Sequence, residues 1–308
     1  MSILVFGSIN MDLVVQSPRL PQPGETLVGR TFATMPGGKG ANQAVAAARQ
    51  GAPTVMVGRV GDDDLGQQLR QRLATEGVNT ESVMVDATTH TGVAAIAVAD
   101  NGENQIVIVP GANGRVGDAD WQRLHQHLDA AQLLLLQYEI PATVVAKAAE
   151  LAHAQGIPVI LDPAPVPEVD LTPIYPAVDI LTPNQVEAAQ LTRLPVGTVE
   201  QAREALLVLQ QQGAQTVIIK LGAQGVLCGT ADGTFHVPAF AVDVVDTVAA
   251  GDAFNGGLAV ALQEGQPLRE AVTWASATAA VSVTQSGAQP SLPTRSQVAD
   301  LINPSRSR

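Results

Sequence analysis

The amino-acid sequence predicts an α/β layered fold. Short runs rich in Val, Ile and Leu alternate along the chain with longer stretches rich in Ala, Leu and Gln. This pattern is typical of parallel strands joined by crossover helices. Two further stretches carry a β pattern without helices, which predicts a small β layer beside the main sheet. With 308 residues, 46% of them hydrophobic, the chain can bury a continuous core.

The predicted elements follow this alternation from one end of the chain to the other. Six short apolar runs are the candidate strands, at residues 3–6, 54–57, 133–137, 158–161, 180–181 and 216–220. Seven longer stretches are the candidate helices, at residues 41–50, 65–76, 119–128, 143–155, 199–212, 253–263 and 268–284. We expect residues 1–308 to form a single domain, with the tail after Asn303 frayed.

The small β layer is predicted from residues 25–34 and from the paired segments 91–99 and 105–110. The loop between the paired segments contains Asn101-Gly102, a strong signal for a hairpin turn. Such a layer, covering about residues 12–34 and 91–110, is suited to close over a cleft as a lid that excludes water from phosphoryl transfer. An ordinary surface hairpin is the alternative that the pattern leaves open.

The charge balance disfavours several classes of protein. Seventeen basic and 29 acidic residues give a net charge of −12, and no block of Lys or Arg is present. This composition argues against a nucleic-acid partner and against a membrane-surface helix. ATP stays possible as a ligand, because backbone N–H groups and a divalent cation can hold phosphates within an acidic protein.

The cysteine content and the hydropathy pattern predict a cytoplasmic protein. The single cysteine, Cys228, cannot form an intramolecular disulfide, which fits a reducing compartment. The first ten residues lack the basic region and the cleavage site of a signal peptide, and no run approaches the ~18 apolar residues of a membrane span. The five histidines show no spacing typical of a metal site or a catalytic triad.

The strongest candidate for chemistry is the segment VDTVAAGDAFNGG at residues 245–257, which leads into an apolar helix. Small residues let the backbone N–H groups at a helix start face a ligand, and the helix dipole favours negative charge there. The amides of Ala249, Ala250 and Gly251 are suited to stabilise a phosphoryl group in its transition state. Asp252 is placed to accept a proton from the attacking alcohol. The spacing equally allows Asp252 to be a helix cap and the glycines to be packing sites.

A second glycine-rich segment, PGGKGANQA at residues 36–44, matches neither common nucleotide motif. Ala33 stands where a Walker A loop has its first glycine, no Ser or Thr follows Lys39, and the first strand does not lead into G-x-G-x-x-G. Glycines here permit close approach of a small polar ligand, to which Asn42 offers both a donor and an acceptor. A purely structural turn is the alternative.

Polar residues follow the predicted strands at their carboxyl ends. Asn10 and Asp12 follow the first strand, and Glu139 follows the run at 133–137. Ligands of open α/β sheets bind outside the carboxyl ends of the strands, so these side chains are candidates for one crevice. Amides and carboxylates suit neighbouring sugar hydroxyls, which both donate and accept. Each residue taken alone is better explained as an ordinary loop residue.

Two later segments are candidates for a nucleotide site. Asn184 and Glu187 lie three residues apart at a predicted helix start, where they would either hold a hydrated magnesium ion or form a capping box. The turn from Lys220 through Gly222 to Gly225 follows a strand and is suited to cradle a nucleotide, although a lone pair of glycines is a weak signal.

Taken together, these segments closely resemble the ribokinase branch of the PfkB carbohydrate kinase family. The resemblance covers nearly the whole chain and rests on five segments in the family's order: GSINMD at 7–12, GGKGANQA at 37–44, TPNQVE at 182–187, DTVAAGD at 246–252 and GAQPS at 287–291. Any one of these segments is explained by chance, whereas the ordered set is highly specific.

The resemblance implies a doubly wound, mostly parallel sheet and a β lid that also forms a homodimer. It implies that Asp252 is the catalytic base and that Ala249, Ala250 and Gly251 form an anion hole. The implied sugar contacts are Asn10, Asp12, Gly38, Lys39, Asn42, Glu139 and Asp252. The implied ATP contacts are Asn184, Gly222, Gly225, Gly251 and Ser276, with Glu187 near Mg²⁺ through water. An activating K⁺ would lie at Asp246, Val248, Ser282, Gln285, Gly287 and Ser291. Lys220 is also a candidate nucleotide contact, but it departs from the threonine of several family members.

The function implied is transfer of the ATP γ-phosphoryl group to O5 of D-ribose. In the family, kinases of phosphorylated sugars resemble Asn-Pro after the first strand, whereas this chain has Asn10 followed by Met11, so Met11-Asp12 favours a neutral sugar. Fructose, deoxyribose or a nucleoside are the alternative substrates. A sugar-binding regulator on the same fold is disfavoured by the intact Asp252, and an NAD-dependent dehydrogenase is disfavoured by the missing dinucleotide motif.

Overall fold

The computed structural model describes residues 1–303. The expected fraying after Asn303 therefore concerns residues outside the described range. Within this range the strands are β1 Ser2–Phe6, β2 Asn10–Ser17, β3 Thr31–Gly37, β4 Thr54–Gly61, β5 Val78–Asn79, β6 Val83–Asp86, β7 Gly92–Ala99, β8 Asn104–Val109, β9 Ala131–Gln137, β10 Val159–Asp162, β11 Ile180–Leu181, β12 Thr216–Lys220, β13 Val226–Thr230 and β14 Gly233–Val237.

The first six α-helices of the same range lie between strands, and the last three follow one another after the last strand. They are α1 Lys39–Arg49, α2 Asp64–Thr75, α3 Asp118–Leu128, α4 Ala142–Ala154, α5 Gln185–Thr192, α6 Val199–Gln211, α7 Ala250–Gln263, α8 Leu268–Ser282 and α9 Arg295–Ile302. None of the helices in residues 1–303 is both long enough and apolar enough to cross a membrane.

The main sheet is mostly parallel and has ten strands. Its order is β14-β13-β12-β11-β10-β9-β1-β4-β5, and β6 also pairs with β4. All pairings from β12 across to β5 are parallel, whereas β13 and β14 are added as antiparallel strands at one edge. Apolar clusters pack against both faces of the sheet, as expected of buried parallel strands. The predicted α/β class is confirmed.

A separate four-stranded sheet, which we call the lid sheet, has the order β3-β2-β7-β8. The predicted hairpin between β7 and β8 is present: Gly102 has a φ of +85°, and its amide donates to the carbonyl of Ala99 at 2.9 Å. On β8 the side chains Ile106, Val107, Ile108 and Val109 are all exposed. The lid sheet therefore presents apolar side chains that nothing within residues 1–303 covers.

The predicted β structure at residues 25–34 is wrong in its first part. The ladder between β2 and β3 ends where Gln16 pairs with Thr31, so residues 25–30 lie outside the strands. The preceding chain turns instead, with Gly24 at a φ of +82° and the amide of Glu25 donating to the carbonyl of Gln22 at 3.0 Å. A turn with two nearby prolines cannot supply the continuous amides that a ladder needs.

Helix α7 lies in the centre of the helical layer, between α1 and α8, and glycines allow both contacts. A Cβ at Gly256 would lie 2.4 Å from the Cβ of Ala46 on α1. A Cβ at Gly257 would lie 2.5 Å from the hydroxyl of Thr278 on α8. These two glycines are packing sites, as one reading of the segment 245–257 expected.

The close approach of α1 and α7 predicts that Gly256→Ala destabilises the protein. Alanine favours a helix over glycine by about 1 kcal/mol, but an overpacked core contact costs roughly 1–3 kcal/mol and the two helices must separate. We expect a melting temperature several degrees lower than that of the unchanged protein, about 2–4 °C per kcal/mol.

The matched control is Gly197→Ala, where the nearest atom to the new Cβ is the end of the flexible Gln201 side chain at 3.3 Å. This control should melt close to the unchanged protein. Equal melting temperatures for the two variants, measured by circular dichroism, would contradict the packing argument.

Candidate active site

Polar side chains from the ends of the parallel strands meet the starts of α1 and α7. Asp162 is the last residue of β10, Lys220 is the last residue of β12, and Glu139 follows β9. Helix α1 begins at Lys39 and α7 begins at Ala250. Because all these strands run in the same direction, their carboxyl ends lie at one edge of the sheet, where open α/β sheets bind ligands.

Asp252 is buried in the first turn of α7 and does not cap that helix. The cap position is Ala249, which makes no side-chain cap hydrogen bond. Instead, Asp252 accepts hydrogen bonds from two residues of α1: Asn42 Nδ2 donates to its Oδ2 at 2.9 Å, and Gln43 Nε2 donates to its Oδ1 at 3.1 Å. The helix-cap alternative is therefore wrong.

Burial raises the pKa of Asp252 to about 6, although the positive charge of Lys39 and the two amide donors oppose the shift. A carboxyl group with this pKa is mostly ionised at neutral pH and remains a better proton acceptor than an ordinary aspartate. Burial disfavours the charged form of Lys39 as well, but the negative charges of Asp252, Asp162, Glu139 and Glu187 outweigh it and raise the pKa of the ammonium.

The candidate anion hole has free amides at its centre. Ala249 has a φ of +60°, an uncommon conformation for a residue other than glycine, and this turn brings the chain into α7. Within residues 1–303 the amides of Ala249, Gly251 and Asp252 have no hydrogen-bond acceptor, whereas Ala250 N donates to the carbonyl of Thr247 at 3.3 Å. Free N–H groups at a helix start form a site for an anion.

The candidate sugar contacts form a second group around Asp252, apart from the candidate anion hole. Asp12 is on β2 of the lid sheet, and its pKa is raised to about 7 by burial and by the charges of Glu139 and Asp252. The carboxylate of Glu139 accepts from Ser8 Oγ at 2.5 Å and from the amide of Lys39 at 2.9 Å. These interactions bring Asp12, Glu139, Lys39 and Asp252 into one cluster, as the sequence predicted.

Asn10, Gly38 and Asn42 complete this side. A Cβ at Gly38, which has a φ of +89°, would lie 2.7 Å from the amide of Asn10, so only glycine fits there. Asn42 Oδ1 is buried and has no hydrogen-bond partner in the described chain. An unpaired buried acceptor costs free energy, which a hydroxyl donor of a ligand would offset.

Several residues of the site were not predicted from the sequence, and no motif or predicted strand end points to Asn113. It lies in a short 3₁₀ turn and is buried. Its Nδ2 donates to Asn10 Oδ1 at 2.7 Å, and its Oδ1 accepts from the amide of Ile9 at 2.9 Å. Asp162, by contrast, follows the predicted strand at 158–161 just as Glu139 follows the run at 133–137. Its position at a strand end could therefore have identified it as a candidate.

A cavity of about 790 Å³ lies beside Asp252 on the opposite side from the lid sheet residues. Every predicted nucleotide contact lines it: Asn184, Lys220, Gly222, Gly225, Gly251 and Ser276. Apolar side chains, including Val226, Phe240, Val242 and Val244, line another part of the same cavity. A mostly apolar cavity with a few polar groups is the usual form of a cofactor site.

Asn184 and Glu187 form a capping box at the start of α5. Glu187 N donates to Asn184 Oδ1 at 2.9 Å, while Asn184 N donates to the carboxylate of Glu187 at 2.7 Å. Both residues also line the cavity. Burial raises the pKa of Glu187, and the charge of Lys220 opposes this shift. No group of three His, Cys, Asp or Glu side chains within residues 1–303 is arranged to hold a metal ion.

Lys220 forms an ion pair instead of standing free in the cavity. Its Nζ lies 3.0 Å from Asp162 Oδ1, and both side chains are largely buried. A Cβ on Gly251 would lie 3.3 Å from the same Nζ, so the ammonium group is next to the candidate anion hole.

The residues expected to hold K⁺ come together in part through Asp246. Its carboxylate accepts from the amide of Val248 at 3.0 Å and from the amide of Gly287 at 2.8 Å. Gln285 N donates to the carbonyl of Ser282 at 3.2 Å. The hydroxyls of Ser282 and Ser291 each donate to a nearby backbone carbonyl. Backbone carbonyl oxygens are the ligands that K⁺ prefers in proteins.

Comparisons with known proteins agree with this geometry. Residues 1–295 match the model of the pfkB family carbohydrate kinases. The chain is 40% identical over 302 residues to a ribokinase of Bacillus subtilis, covering 98% of this chain and 99% of the relative. It is 38% identical over 304 residues to a deoxyribokinase of Salmonella typhi, with the same coverage.

Solved structures share the fold. The structure of Arabidopsis thaliana ribokinase complexed with ribose and ATP has a TM-score of 0.89 and 35% identity, and the match covers 98% of both chains. The mostly parallel sheet with a small separate sheet is thus common to this chain and to a sugar kinase. The resemblance based on five ordered segments is confirmed, and the chain belongs to the pfkB family of carbohydrate kinases.

Proposed function

We propose that this protein transfers the γ-phosphoryl group of ATP to O5 of D-ribose and so produces D-ribose 5-phosphate. The observation that carries the proposal is the position of Asp252, which is buried between the polar cluster of the lid side and the 790 Å³ cavity. Similarity to the ribokinases of Bacillus subtilis and Arabidopsis thaliana supports ribose as the first substrate to test.

Asp252 acts as the general base. Its pKa of about 6 leaves it ionised at neutral pH, and it takes the proton of the attacking hydroxyl as the new O–P bond forms and the bond to ADP breaks. The free amides of Ala249, Gly251 and Asp252 donate to the oxygens of the transferred group, on which charge develops in the transition state. Positioning and electrostatic stabilisation supply most of the rate enhancement in this class of reaction.

The sugar side fits a neutral polyol. Asn42 Oδ1 is an acceptor without a partner in residues 1–303, and the carboxyl oxygens of Asp12 and Glu139 offer further acceptors for hydroxyl groups. A phosphorylated sugar would be repelled, because four carboxylates, those of Asp252, Asp162, Glu139 and Glu187, already act on the single Lys39 ammonium. Asn10, held by Asn113, and the backbone at Gly38 complete the contacts.

The nucleotide side fits ATP with its phosphates toward α7. The adenosine would lie against Val226, Phe240 and Val244, and the triphosphate would extend past Asn184 and Lys220 to Gly251, all of which line the cavity. Gly222, Gly225 and Ser276 line the same path. The residues present fit Mg²⁺ held mainly by the phosphates, with Glu187 reached through water. That ion supplies neutralisation of phosphate charge when it is bound.

The loop around Asp246 fits an activating K⁺. Asp246, Val248 and Gly287 are already linked by hydrogen bonds, and Ser282, Gln285 and Ser291 lie in the segments that follow α8 or end it. The ion supplies positive charge next to the turn that leads to the anion hole. The residues of the chain keep that turn in place through the Asp246 carboxylate, which joins residue 248 to residue 287.

The lid sheet is proposed to join two copies of the chain. Val107 and Val109 on β8 and Phe32 on β3 are exposed on one face of the lid sheet, and Ile106 and Ile108 on β8 are exposed on the other face. Exposed apolar side chains of this kind mark an interface. Closure of the sheet over the sugar would bring Asp12 toward Asp252. A single domain over residues 1–308 and a cytoplasmic location stay predictions.

Deoxyribose is the second candidate substrate. The observation that favours it is the 38% identity to the Salmonella typhi deoxyribokinase, which is close to the identity to ribokinases. The two sugars differ by one hydroxyl group, and a site that pairs with this hydroxyl discriminates strongly against the sugar that lacks it. A regulator that binds sugar without turnover is disfavoured by the complete arrangement around Asp252.

A sugar panel with ATP and Mg²⁺ tests the proposed reaction. We expect ADP release with ribose at a higher kcat/KM than with deoxyribose, fructose or a nucleoside, and a higher rate with K⁺ than with Na⁺. A higher kcat/KM for deoxyribose would select the second candidate. Absence of ADP release with every sugar would contradict the assignment as a kinase of neutral sugars.

Replacing Asp252 by Asn tests the catalytic base. The variant keeps the side-chain volume but cannot take the proton, and its NH₂ group replaces an oxygen that accepts from Asn42 or Gln43, so kcat should fall by about 10²–10⁴-fold, the usual contribution of a positioned base. Ribose binding, measured by calorimetry, should survive within a few-fold. Near-normal turnover of Asp252→Asn would show that another group accepts the proton.

Charges on the lid sheet test the proposed dimer. The double variant Ile106→Asp with Val107→Asp places one charge on each face of β8, because successive residues of a strand point to opposite faces. Light scattering at micromolar concentration should give a dimer for the unchanged protein and a monomer for this variant. Val169→Asp, at an exposed apolar position outside the lid sheet, is the control and should stay dimeric. A monomeric unchanged protein would rule out the dimer.

A further inference from the structure

A buried polar network lies directly behind Asp252 and joins residues from several separate elements. Its members are Gln43, Gln137, Asp162 and Lys220. Gln43 and Gln137 are fully buried, and Asp162 is 2% exposed. Polar groups buried this deeply cost free energy unless each is hydrogen-bonded. Their arrangement is therefore a defined feature of the site.

Gln43 joins two carboxylates through one amide nitrogen. Its Nε2 donates to Asp252 Oδ1 at 3.1 Å and to Asp162 Oδ2 at 3.2 Å. Ionised carboxylates only accept hydrogen bonds, so the NH₂ end of the amide must face them. The opposite end is held in the matching orientation, because Gln137 Nε2 donates to Gln43 Oε1 at 2.6 Å. Neither glutamine can reverse without placing an oxygen against an oxygen.

Asp162 extends the network to the nucleotide side. Its second oxygen, Oδ1, accepts from Lys220 Nζ at 3.0 Å. Lys220 lines the nucleotide cavity, and its ammonium group lies beside Gly251 of the anion hole. An unbroken chain of hydrogen bonds thus leads from Asp252 through Gln43 and Asp162 to the cation nearest the anion hole.

We propose that Gln43 is a positioning residue for the catalytic base. Together with the Asp162–Lys220 ion pair, Gln43 fixes the position of the Asp252 carboxylate relative to the phosphate end of the nucleotide cavity. This inference rests on the proposed kinase function. It adds a role to residues that do not contact the sugar, and it gives Lys220 a second role besides contact with the nucleotide.

The network has a clear electrostatic consequence. Asp162 and Asp252 repel each other, and the Gln43 donor and the Lys220 ammonium compensate that repulsion. The other charged groups that face Asp252 are Lys39 from α1, which favours its ionised form, and Asp12 and Glu139 on the sugar side, which disfavour it. Loss of either compensating group should therefore raise the pKa of Asp252 and move the acid limb of the rate profile to higher pH.

The first test is Gln43→Leu, which has a side chain of similar volume but removes both hydrogen bonds that Gln43 Nε2 donates to the two carboxylates. We expect kcat to fall tenfold or more and the acid limb of its pH profile to move up by about one pH unit, while KM for ribose stays within threefold. The matched control is Gln50→Leu. Gln50, the residue directly after α1, is also buried, and its Nε2 donates to Ala46 O while its Oε1 accepts from Trp274 Nε1. This control should lose stability without moving the acid limb.

The second test is a cycle on the ion pair and does not depend on the folding of the Gln43 variant. Lys220→Met leaves the charge of Asp162 uncompensated, so the acid limb should again move to higher pH. The double variant Asp162→Asn with Lys220→Met removes that charge, and its limb should return toward the unchanged position. If the acid limb of the pH–rate profile stays in place in both Gln43→Leu and Lys220→Met, the proposed role of the network is wrong, even if the rates of these variants fall.

The two hypotheses fail in different ways. A protein that phosphorylates ribose normally, with variants whose acid limb does not move, would contradict the network and leave the kinase function intact. An unchanged protein that is inactive on the whole sugar panel would overturn the function, and the positioning role with it.

Discussion

Burial of the Asp252 carboxylate is the constraint on which the rest of the site depends. A carboxylate taken out of water is costly unless donors and a positive charge compensate it. The compensation comes from α1, whose Asn42 and Gln43 donate to both oxygens and whose first residue is Lys39. Helix α1 must therefore lie tightly against α7, and the absence of a side chain at Gly256 makes that approach possible. The packing of α1 against α7 and the hydrogen bonds to Asp252 therefore depend on the same close approach of the two helices.

The sheet explains why two ligands can meet at one carboxylate. Parallel strands bring Glu139 to the sugar side and Asp162 and Lys220 to the nucleotide side of the same edge. The start of α7 lies between them and supplies free amides where the two ligands would touch. The lid sheet, which is separate from the main sheet, adds Asp12 on its strand β2. A rigid base with a separate cover suits a reaction that must exclude water.

Much of the fold could be predicted from the sequence because its signals are local. The alternation of apolar runs and helical stretches identifies the α/β class, and Asn101-Gly102 identifies the hairpin of the lid sheet. The prediction for residues 25–30 failed because the end of a strand ladder depends on its partner, β2, and not on local composition. Boundaries elsewhere moved by only a few residues for the same reason.

The role of Asp252 could not be decided from spacing, because a cap and a base look alike at a helix start. What separates them is a pair of donors about 210 residues away in sequence. The ordered resemblance favoured the base, and the geometry excludes the cap. Asn113 could not be predicted for a similar reason, since its hydrogen-bond partners Ile9 and Asn10 lie more than 100 residues away in sequence. Such contacts become visible only when the chain is folded.

The central claim is that Asp252 accepts the proton of the attacking hydroxyl. The most direct measurement is the distance between ribose O5 and the Asp252 carboxylate in a crystal of the ternary complex with a non-hydrolysable ATP analogue. The account predicts a hydrogen bond of about 2.6–3.2 Å, with the γ-phosphorus on the far side of O5. A complex in which O5 points away from Asp252 and bonds to another acceptor would contradict it.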